Sequence, residues 1–184
     1  GRGVVVRPVC VLQSTWDHTL EPDAGSREGW ALRLGLRLVK GLAERAGEAI
    51  VRVRAPRPPA TVHELREGAH LAQDQIDVLA EAGAIEALAA GRRRALWEAH
   101  APRLGGLFAG RAIEPDAAEV AQRLPRLRAV EQLVLDYGRT GLSLFDHPMR
   151  HVRPQLRGFG LGRVARAAEL PRLADRRPVT VAGL

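Results

Sequence analysis

The sequence predicts a mainly α-helical fold with a small β portion at the N-terminus, and two patterns indicate this. Val4, Val5 and Val6 form a β-branched run, which favours a strand. From Leu38 to His100, apolar residues recur at three- and four-residue spacing, which is typical of helices that bury one face. We therefore expect a short extended region followed by a larger helical one.

The extended region contains two predicted strands. Pro8 places the first at the edge of a sheet, because proline has no backbone N–H to donate to a neighbouring strand. A polar, turn-rich loop over 21–29 precedes a second predicted strand over 30–36. The chain then turns at Gly41 into a predicted helix over 43–54.

Further helices follow on either side of clear breaks. The proline-rich residues 55–60 end the preceding helix, because proline cannot continue it. Thr61 and Glu64 have the spacing of a capping box, which predicts the start of a short helix. The next apolar stripe runs to Leu79, and Gly83 lies where a helix C-cap is expected.

Beyond residue 100 the pattern predicts two more helices and then an irregular region. A loop over 101–115 precedes helices at 116–123 and 129–139. Residues 149–170 are typical of a broken helix, and the last seven residues have the pattern of a single truncated strand, expected to be disordered or loosely packed. On the helix at 129–139 the predicted apolar face comprises Val130, Leu133, Val134 and Tyr137.

Composition limits the size of the core and the class of partner. With 184 residues, 46% of them apolar, the chain can form one ordinary core or two small modules. The formal charge of +7 favours a polyanionic partner. Aromatic residues make up only 4% of the chain, too few for a single-strand binder that stacks bases on exposed rings. Contact with the backbone of duplex DNA suits this composition better.

The remaining composition argues against several classes of site. Cys10 is the only cysteine, so no intramolecular disulfide can form, as in proteins of a reducing cytosol. No apolar run reaches the ~20 residues of a membrane span. His147 and His151 are four residues apart, but Pro148 between them favours a helix start and no third metal ligand accompanies them. We predict a cytoplasmic location, no membrane partner, and no catalytic residue, metal or cofactor in this chain.

The turn at Lys40 and Gly41 is the most informative motif. Lys40 is the only lysine, and the glycine after it allows a ligand to approach the backbone closely. Unpaired amides at the start of the following helix suit phosphate oxygens, although Ala43 replaces the second glycine that such turns commonly have. We predict phosphate contacts from Lys40, Gly41 and Leu42, with Arg37 and Arg45 nearby.

A second turn, at Gly83 and Ala84, has a looser form of the same pattern. Arg92 and Arg93 follow it at a helix start and would supply positive charge. We predict that these four residues form the second set of phosphate contacts. The alternative is that both turns are packing corners and the arginines form a solvated face.

Several segments, in the same order, resemble bacterial C-family DNA polymerases, most closely the error-prone paralogue of the DNA polymerase III alpha subunit. The resemblance covers nearly the whole chain. It rests on Trp16-Asp17, Thr19–Glu21, Arg33–Arg37, Leu79–Ile85, Arg92–Trp97, Asp136-Tyr137, Thr140–Leu144, His147–Met149 and Val179–Leu184.

The resemblance implies a fragment of a longer enzyme. Residues 1–36 would end a fingers domain, and 37–100 would form a tandem helix-hairpin-helix domain that holds duplex DNA without reading its sequence. Residues 101–150 would be a connector, and 151–184 a linker with the first strand of an OB-fold. The parent would be a DNA-directed DNA polymerase, a nucleotidyltransferase of DNA replication and repair that acts in translesion synthesis and damage-induced mutagenesis. Its palm aspartates would use Mg²⁺; no Asp-x-Asp pattern occurs here, so we expect the fragment to be inactive alone.

Two alternatives to a duplex-binding polymerase fragment remain. Family members carry a clamp-binding peptide after the hairpins, and Leu107 with Phe108 keeps its apolar anchor, whereas Leu104 replaces the usual glutamine. The chain would then be a protein-interaction segment that recruits the sliding clamp or other mutasome proteins and barely contacts DNA. The other alternative is an independent DNA-binding protein, against which the truncated C-terminal strand argues.

Overall fold

The chain divides into two units, formed by residues 1–144 and 145–184. The division into four parts predicted from the sequence stays a prediction, because contacts within the chain define these two units and do not test the predicted boundaries. The computed structural model describes residues 4–89, 91–100, 125–159, 164–176 and 178–183.

A three-stranded sheet opens the first unit, with strands β1 (Val5–Arg7), β2 (Thr19–Pro22) and β3 (Trp30–Arg33) in the order β1-β3-β2. β3 pairs in parallel with β1 and antiparallel with β2, so Leu32 lies opposite both Val6 and Leu20. The edge position of β1 agrees with the prediction from Pro8. The predicted strand over 30–36 ends early, because the chain enters a 3-10 turn at Leu36–Leu38.

Helices follow the sheet in the described part of the first unit. The capping box is present as predicted: Glu64 N–H donates to Thr61 Oγ1 at 3.1 Å, and Ala60 N–H donates to Glu64 Oε2 at 2.9 Å. The helices are α1 (Glu44–Arg54), α2 (Val62–Gly68), α3 (Gln73–Glu81), α4 (Glu86–Ala89), α5 (Arg92–Ala99) and α6 (Ala129–Thr140).

One core joins the sheet to these helices. Apolar side chains from the 3-10 turn, from α1 to α3 and from the second turn meet in this core. A Cβ at Gly47 would lie 2.6 Å from the Trp16 ring, so only glycine lets the indole pack on α1. The largest fully buried apolar side chains are Leu36, Ile50, Leu65, Ile76, Leu79 and Ile85. Burial of this size is the main source of stability in such a unit.

Helix α6 docks through a different face from the one predicted. Its bounds agree with the expected helix at 129–139, but Val130 and Val134 are exposed, at 48% and 65%. Leu133 and the carboxylate residue Asp136 are the buried positions of the helix. The predicted apolar face was therefore wrong in part, because an ion pair rather than a valine stripe sets the rotation of α6.

Among its described residues, the second unit contains only short elements: α7 (Pro148–Val152), a 3-10 helix at Arg153–Phe159, β4 (Val164–Ala165), a 3-10 helix at Ala167–Arg172 and β5 (Thr180–Val181). β4 and β5 pair in parallel. The C-terminal strand therefore has a partner that the sequence did not predict. In the part of the chain described, no helix is both long and apolar enough to cross a membrane.

Candidate nucleic-acid interface

The first turn has the backbone conformation that a glycine is needed for. Gly41 has a φ of 91° and is exposed. A Cβ at this position would also lie 3.3 Å from Val78 Cγ1 on α3. Because L-residues rarely adopt this φ, Gly41 defines the shape of the turn that leads into α1.

Both polar atoms of the Gln75 side-chain amide, on α3, form hydrogen bonds with the backbone of this turn. Its Nε2 donates to Gly41 O at 3.2 Å, and its Oε1 accepts from Ala43 N–H at 3.0 Å. The first turn is thus attached to the helix that precedes the second turn. A turn held in this way loses little entropy when it contacts a ligand.

Besides the Ala43 amide, two more backbone amides of this turn are already used within the protein. Lys40 N–H donates to Arg139 O at 2.8 Å, and Leu42 N–H donates to Val39 O at 3.1 Å. The Leu42 side chain is buried in the core. Leu42 therefore positions the turn, and we remove it from the predicted set of phosphate contacts.

The groups left facing solvent lie around the start of α1. The N-cap residue Ala43 has no side chain that can accept from the next amides of the helix, and Gln75 Oε1 accepts from the N–H of Ala43 itself. Arg45 in the first helical turn is exposed, and so is Lys40. Arg37 is also exposed and forms an ion pair with Asp17 at 2.6 Å. Such a surface pair contributes little and can exchange for a phosphate contact.

The second turn is a packing corner. Gly83 has a φ of 74°, and its N–H donates to Ala80 O, while Ala84 N–H donates to Leu79 O. Ala84 is 1% exposed, and its carbonyl accepts from Val11 N–H at 2.9 Å. The structure thus favours the packing alternative for Gly83 and Ala84, whose amides are satisfied by the helix that ends there.

Arg92 lies in the interior instead of on a DNA-facing surface. It is 7% exposed, and its guanidinium donates to Asp136 Oδ1 and to Glu81 O. Ser143 Oγ donates to the other carboxylate oxygen of Asp136 at 2.6 Å. Withdrawing this guanidinium would leave a buried carboxylate without its counter-charge, so the prediction of Arg92 as a phosphate contact is replaced by a structural role.

Arg93 is the residue of the second predicted set that still faces solvent. Its side chain is 39% exposed and approaches Glu131 at 3.7 Å. At this separation and exposure the pair contributes little. Four cationic residues of the predicted set therefore remain accessible: Arg37, Lys40, Arg45 and Arg93.

Burial shifts the pKa of one carboxylate near Arg92. Removal from solvent raises the pKa of Glu86 above its ordinary value, Asp136 adds to the rise, and Arg92 acts in the opposite direction. Glu86 Oε1 also lies over the second turn, 2.7 Å from where a Cβ at Gly83 would be. Glu86, Asp136 and Arg92 thus form a cluster of two carboxylates and one guanidinium.

The structure describes only some of the other predicted sites. His147 Nδ1 accepts from Met149 N–H, and His151 Nε2 lies 2.6 Å from Asp146 Oδ2, so both histidines have structural contacts. Over the described ranges, no cluster of three or more His, Cys, Asp or Glu residues could hold a metal ion. Leu107 and Phe108 lie outside the described residues.

The residues that organise the interface were not found from the sequence. Gln75 and Asp136 are single polar positions on otherwise ordinary helices, and nothing in periodicity singles them out. Asp136 and Ser143 were among the residues that carry the resemblance to DNA polymerases, but the resemblance assigned them no role.

Residues 3–95 match the family model described as the helix-hairpin-helix motif. The chain belongs to this family. The matched residues include both the first and the second turn. The mainly α-helical fold with a small β portion, predicted with this motif as its core, is confirmed.

Several longer proteins are similar to this helix-hairpin-helix chain. Two that are named error-prone DNA polymerase cover 99% of it: one from Anaeromyxobacter sp. (strain K), 46% identical, and one from Azoarcus sp. (strain BH72), 43% identical. A third with this name, from Xanthomonas campestris pv. campestris (strain B100), is 42% identical over 83% of the chain. The chain spans only 14 to 17% of their lengths. The resemblance to a segment of error-prone DNA polymerases is therefore confirmed.

Proposed function

We propose that this chain is the duplex-DNA-gripping segment of an error-prone DNA polymerase. The observation that carries the proposal is the first turn: exposed Gly41 at a φ of 91°, beside an α1 start without a side-chain cap and beside the cations Lys40 and Arg45. Backbone amides and cations at a helix start bind phosphate oxygens without reading bases.

In this proposal the first turn makes the contact and the second turn supports it. The buried second turn and Arg92 would hold α3, and α3 holds the first turn through Gln75. Arg37 and Arg93 would add charge at the margins. About four phosphates would be neutralised, so log affinity should fall with log salt at a slope of about −3 to −4.

The parent enzyme is part of the same proposal. It would be a DNA-directed DNA polymerase that acts in DNA repair and translesion synthesis in the cytoplasm, with Mg²⁺ at palm aspartates that lie outside this chain. The names of the similar proteins support a polymerase. The chain alone would bind DNA and not extend a primer.

Fluorescence anisotropy of a labelled primer-template duplex across a salt series tests the proposal. The variant Lys40→Glu/Arg45→Glu should lose most of the binding. Arg52→Glu/Arg57→Glu is the matched control, because both residues are exposed cations at or beyond the C-terminal end of α1, whereas the first turn lies at its start. Equal losses in the two double variants would show that the first turn is not the contact and overturn the proposal.

The second candidate function is recruitment of a sliding clamp or other mutasome proteins through Leu107 and Phe108. It rests on the sequence resemblance alone. Its test is Leu107→Ala/Phe108→Ala: capture of a purified sliding clamp should be lost while duplex affinity stays unchanged. No capture by the unaltered chain would remove this candidate.

A further inference from the structure

Most of the excess positive charge of the chain lies in the second unit. Residues 145–184 contain eight arginines and three carboxylate residues. They therefore carry five of the seven excess positive charges of the chain, although they make up less than a quarter of its length. A polyanionic partner is attracted first to such a concentration of charge.

Three of these arginines border one cavity. It has a volume of about 630 Å³ and is lined by Met149, Arg150, Arg153, Pro154 and Arg166. The arginines come from three places: α7, the 3-10 helix after it, and the position directly after β4. No carboxylate is among the described residues that line the cavity.

The side chains are held to different degrees. Arg153 donates to Val164 O at 3.5 Å and to Ala182 O at 3.3 Å, which fixes its guanidinium against the β4–β5 pair. The Arg150 side chain is 77% exposed, and its contact with Asp146 is long, at 3.6 Å. Arg166 is exposed. One anchored and two exposed guanidiniums thus border the same space.

Two carboxylates lie close to cavity arginines and offset part of this charge. Asp146 lies 3.6 Å from Arg150; its Oδ1 also accepts from His147 N–H at 2.8 Å, and its Oδ2 lies 2.6 Å from His151 Nε2. Glu169 Oε2 accepts from the backbone N–H of Arg166 at 3.2 Å. Three guanidiniums around one cavity repel one another unless an anion lies between them.

We propose that this cavity binds the phosphodiester backbone of single-stranded nucleic acid. Guanidinium groups match the geometry of phosphate oxygens. The apolar walls formed by Met149 and Pro154 suit a sugar or the face of a base. A duplex is far too wide to enter a cavity of this size, whereas one or two nucleotides of a single strand fit.

This site goes beyond the duplex contact of the first turn and does not depend on it. The scarcity of aromatic residues argues against base stacking as the source of affinity. Binding here would come from charge and from apolar contact with two side chains. The single-strand affinity should therefore depend strongly on salt and little on base sequence.

The test uses the full chain with a labelled oligothymidylate and, separately, a labelled blunt duplex, both by anisotropy. Arg150→Gln/Arg166→Gln removes two exposed cavity charges, and we expect a roughly tenfold or greater loss of single-strand affinity with little change for the duplex. Arg172→Gln/Arg176→Gln is the matched control, because both residues are exposed in the same unit and outside the cavity lining. Its single-strand affinity should change by less than about twofold.

Three outcomes would overturn the proposal. One is equal single-strand loss in both double variants, which would show that only net charge matters. Another is unchanged binding in the cavity variant. The third is equally tight, equally cavity-dependent binding of labelled polyglutamate, which would indicate an acidic protein partner instead. Lys40→Glu/Arg45→Glu should lose duplex binding and keep oligothymidylate binding, so failure of either site leaves the other measurable.

Discussion

Arg92 and Asp136 form a buried ion pair across 44 residues of sequence, and this pair attaches α6 to the start of α5. Arg139, one turn further along α6, pairs with Glu81 at the end of α3. The Arg139 carbonyl accepts the Lys40 amide of the first turn. Helix α6 therefore contacts the first turn through a backbone carbonyl, and it contacts the helices that flank the second turn through the side chains of Asp136 and Arg139.

Arg92→Ala should destabilise the first unit by about 3–5 kcal/mol, because removing one partner leaves a buried carboxylate unpaired. Arg92→Met/Asp136→Leu should recover most of that loss, since apolar side chains of similar size leave no buried charge. Urea unfolding followed by circular dichroism measures both.

Arg93→Ala is the control, as its pair with Glu131 is exposed and should contribute less than about 1 kcal/mol. If Arg92→Ala were as mild as Arg93→Ala, the buried pair would not be what holds α6.

Gln75→Leu should weaken duplex binding several-fold and lower the free energy of unfolding by about 1–2 kcal/mol, because two hydrogen bonds to the first turn are lost. Anisotropy and urea unfolding measure the two effects. Gln155→Leu, an exposed glutamine of the second unit, should change neither. Duplex affinity that stays constant while stability falls would mean that the fixed turn is not needed for binding.

Gly41→Ala should destabilise the chain by about 1–2 kcal/mol, because alanine at a φ of 91° is strained and its Cβ would crowd Val78. Gly138→Ala is the matched control inside α6, where nothing lies within 4 Å of an added Cβ. It should stabilise the helix by about 0.5–1 kcal/mol. Thermal unfolding checks the opposite signs, and a neutral Gly41→Ala would contradict the assigned turn geometry.

Glu86→Gln should stabilise the chain at neutral pH. Burial raises the pKa of Glu86 in the folded state, so the ionised carboxylate is less favourable there than in the unfolded chain. The free-energy cost of the ionised Glu86 in the fold is absent below the ordinary carboxyl pKa. It reaches its full size above the raised pKa of the folded state. The stability gap between Glu86→Gln and the unaltered chain should therefore widen as pH rises through the ordinary carboxyl pKa and level off above the raised one.

Urea unfolding at several pH values measures this gap. Glu48→Gln, an exposed carboxylate residue on α1, provides the control and should show no such trend. A Glu86→Gln gap that is constant with pH would indicate that Glu86 is not desolvated in the fold.

Local features of the fold were predictable because each depends on neighbours in sequence. The edge strand before Pro8, the capping box of Thr61 and Glu64, and the turn glycines Gly41 and Gly83 all follow from backbone chemistry within a few residues. Segment 129–140 was recognisable as a helix for the same reason. The first turn of the candidate site was predictable at this level.

The part of the candidate site that depends on packing was not predictable. Arg92 and Arg93 are adjacent and chemically identical, yet one is buried and the other is half exposed. Periodicity separates apolar from polar residues, but it does not tell which polar residue will find a partner 44 positions away.

The sequence by itself determined the helices, the edge strand, the glycine turns and the family, because each follows from local backbone preferences or from similarity along the chain. Only the tertiary structure decided which arginines face solvent, which face of α6 is buried, and that three arginines of the second unit share a cavity. The physical reason is that burial of a charge is favourable only where the fold brings an opposite charge to it.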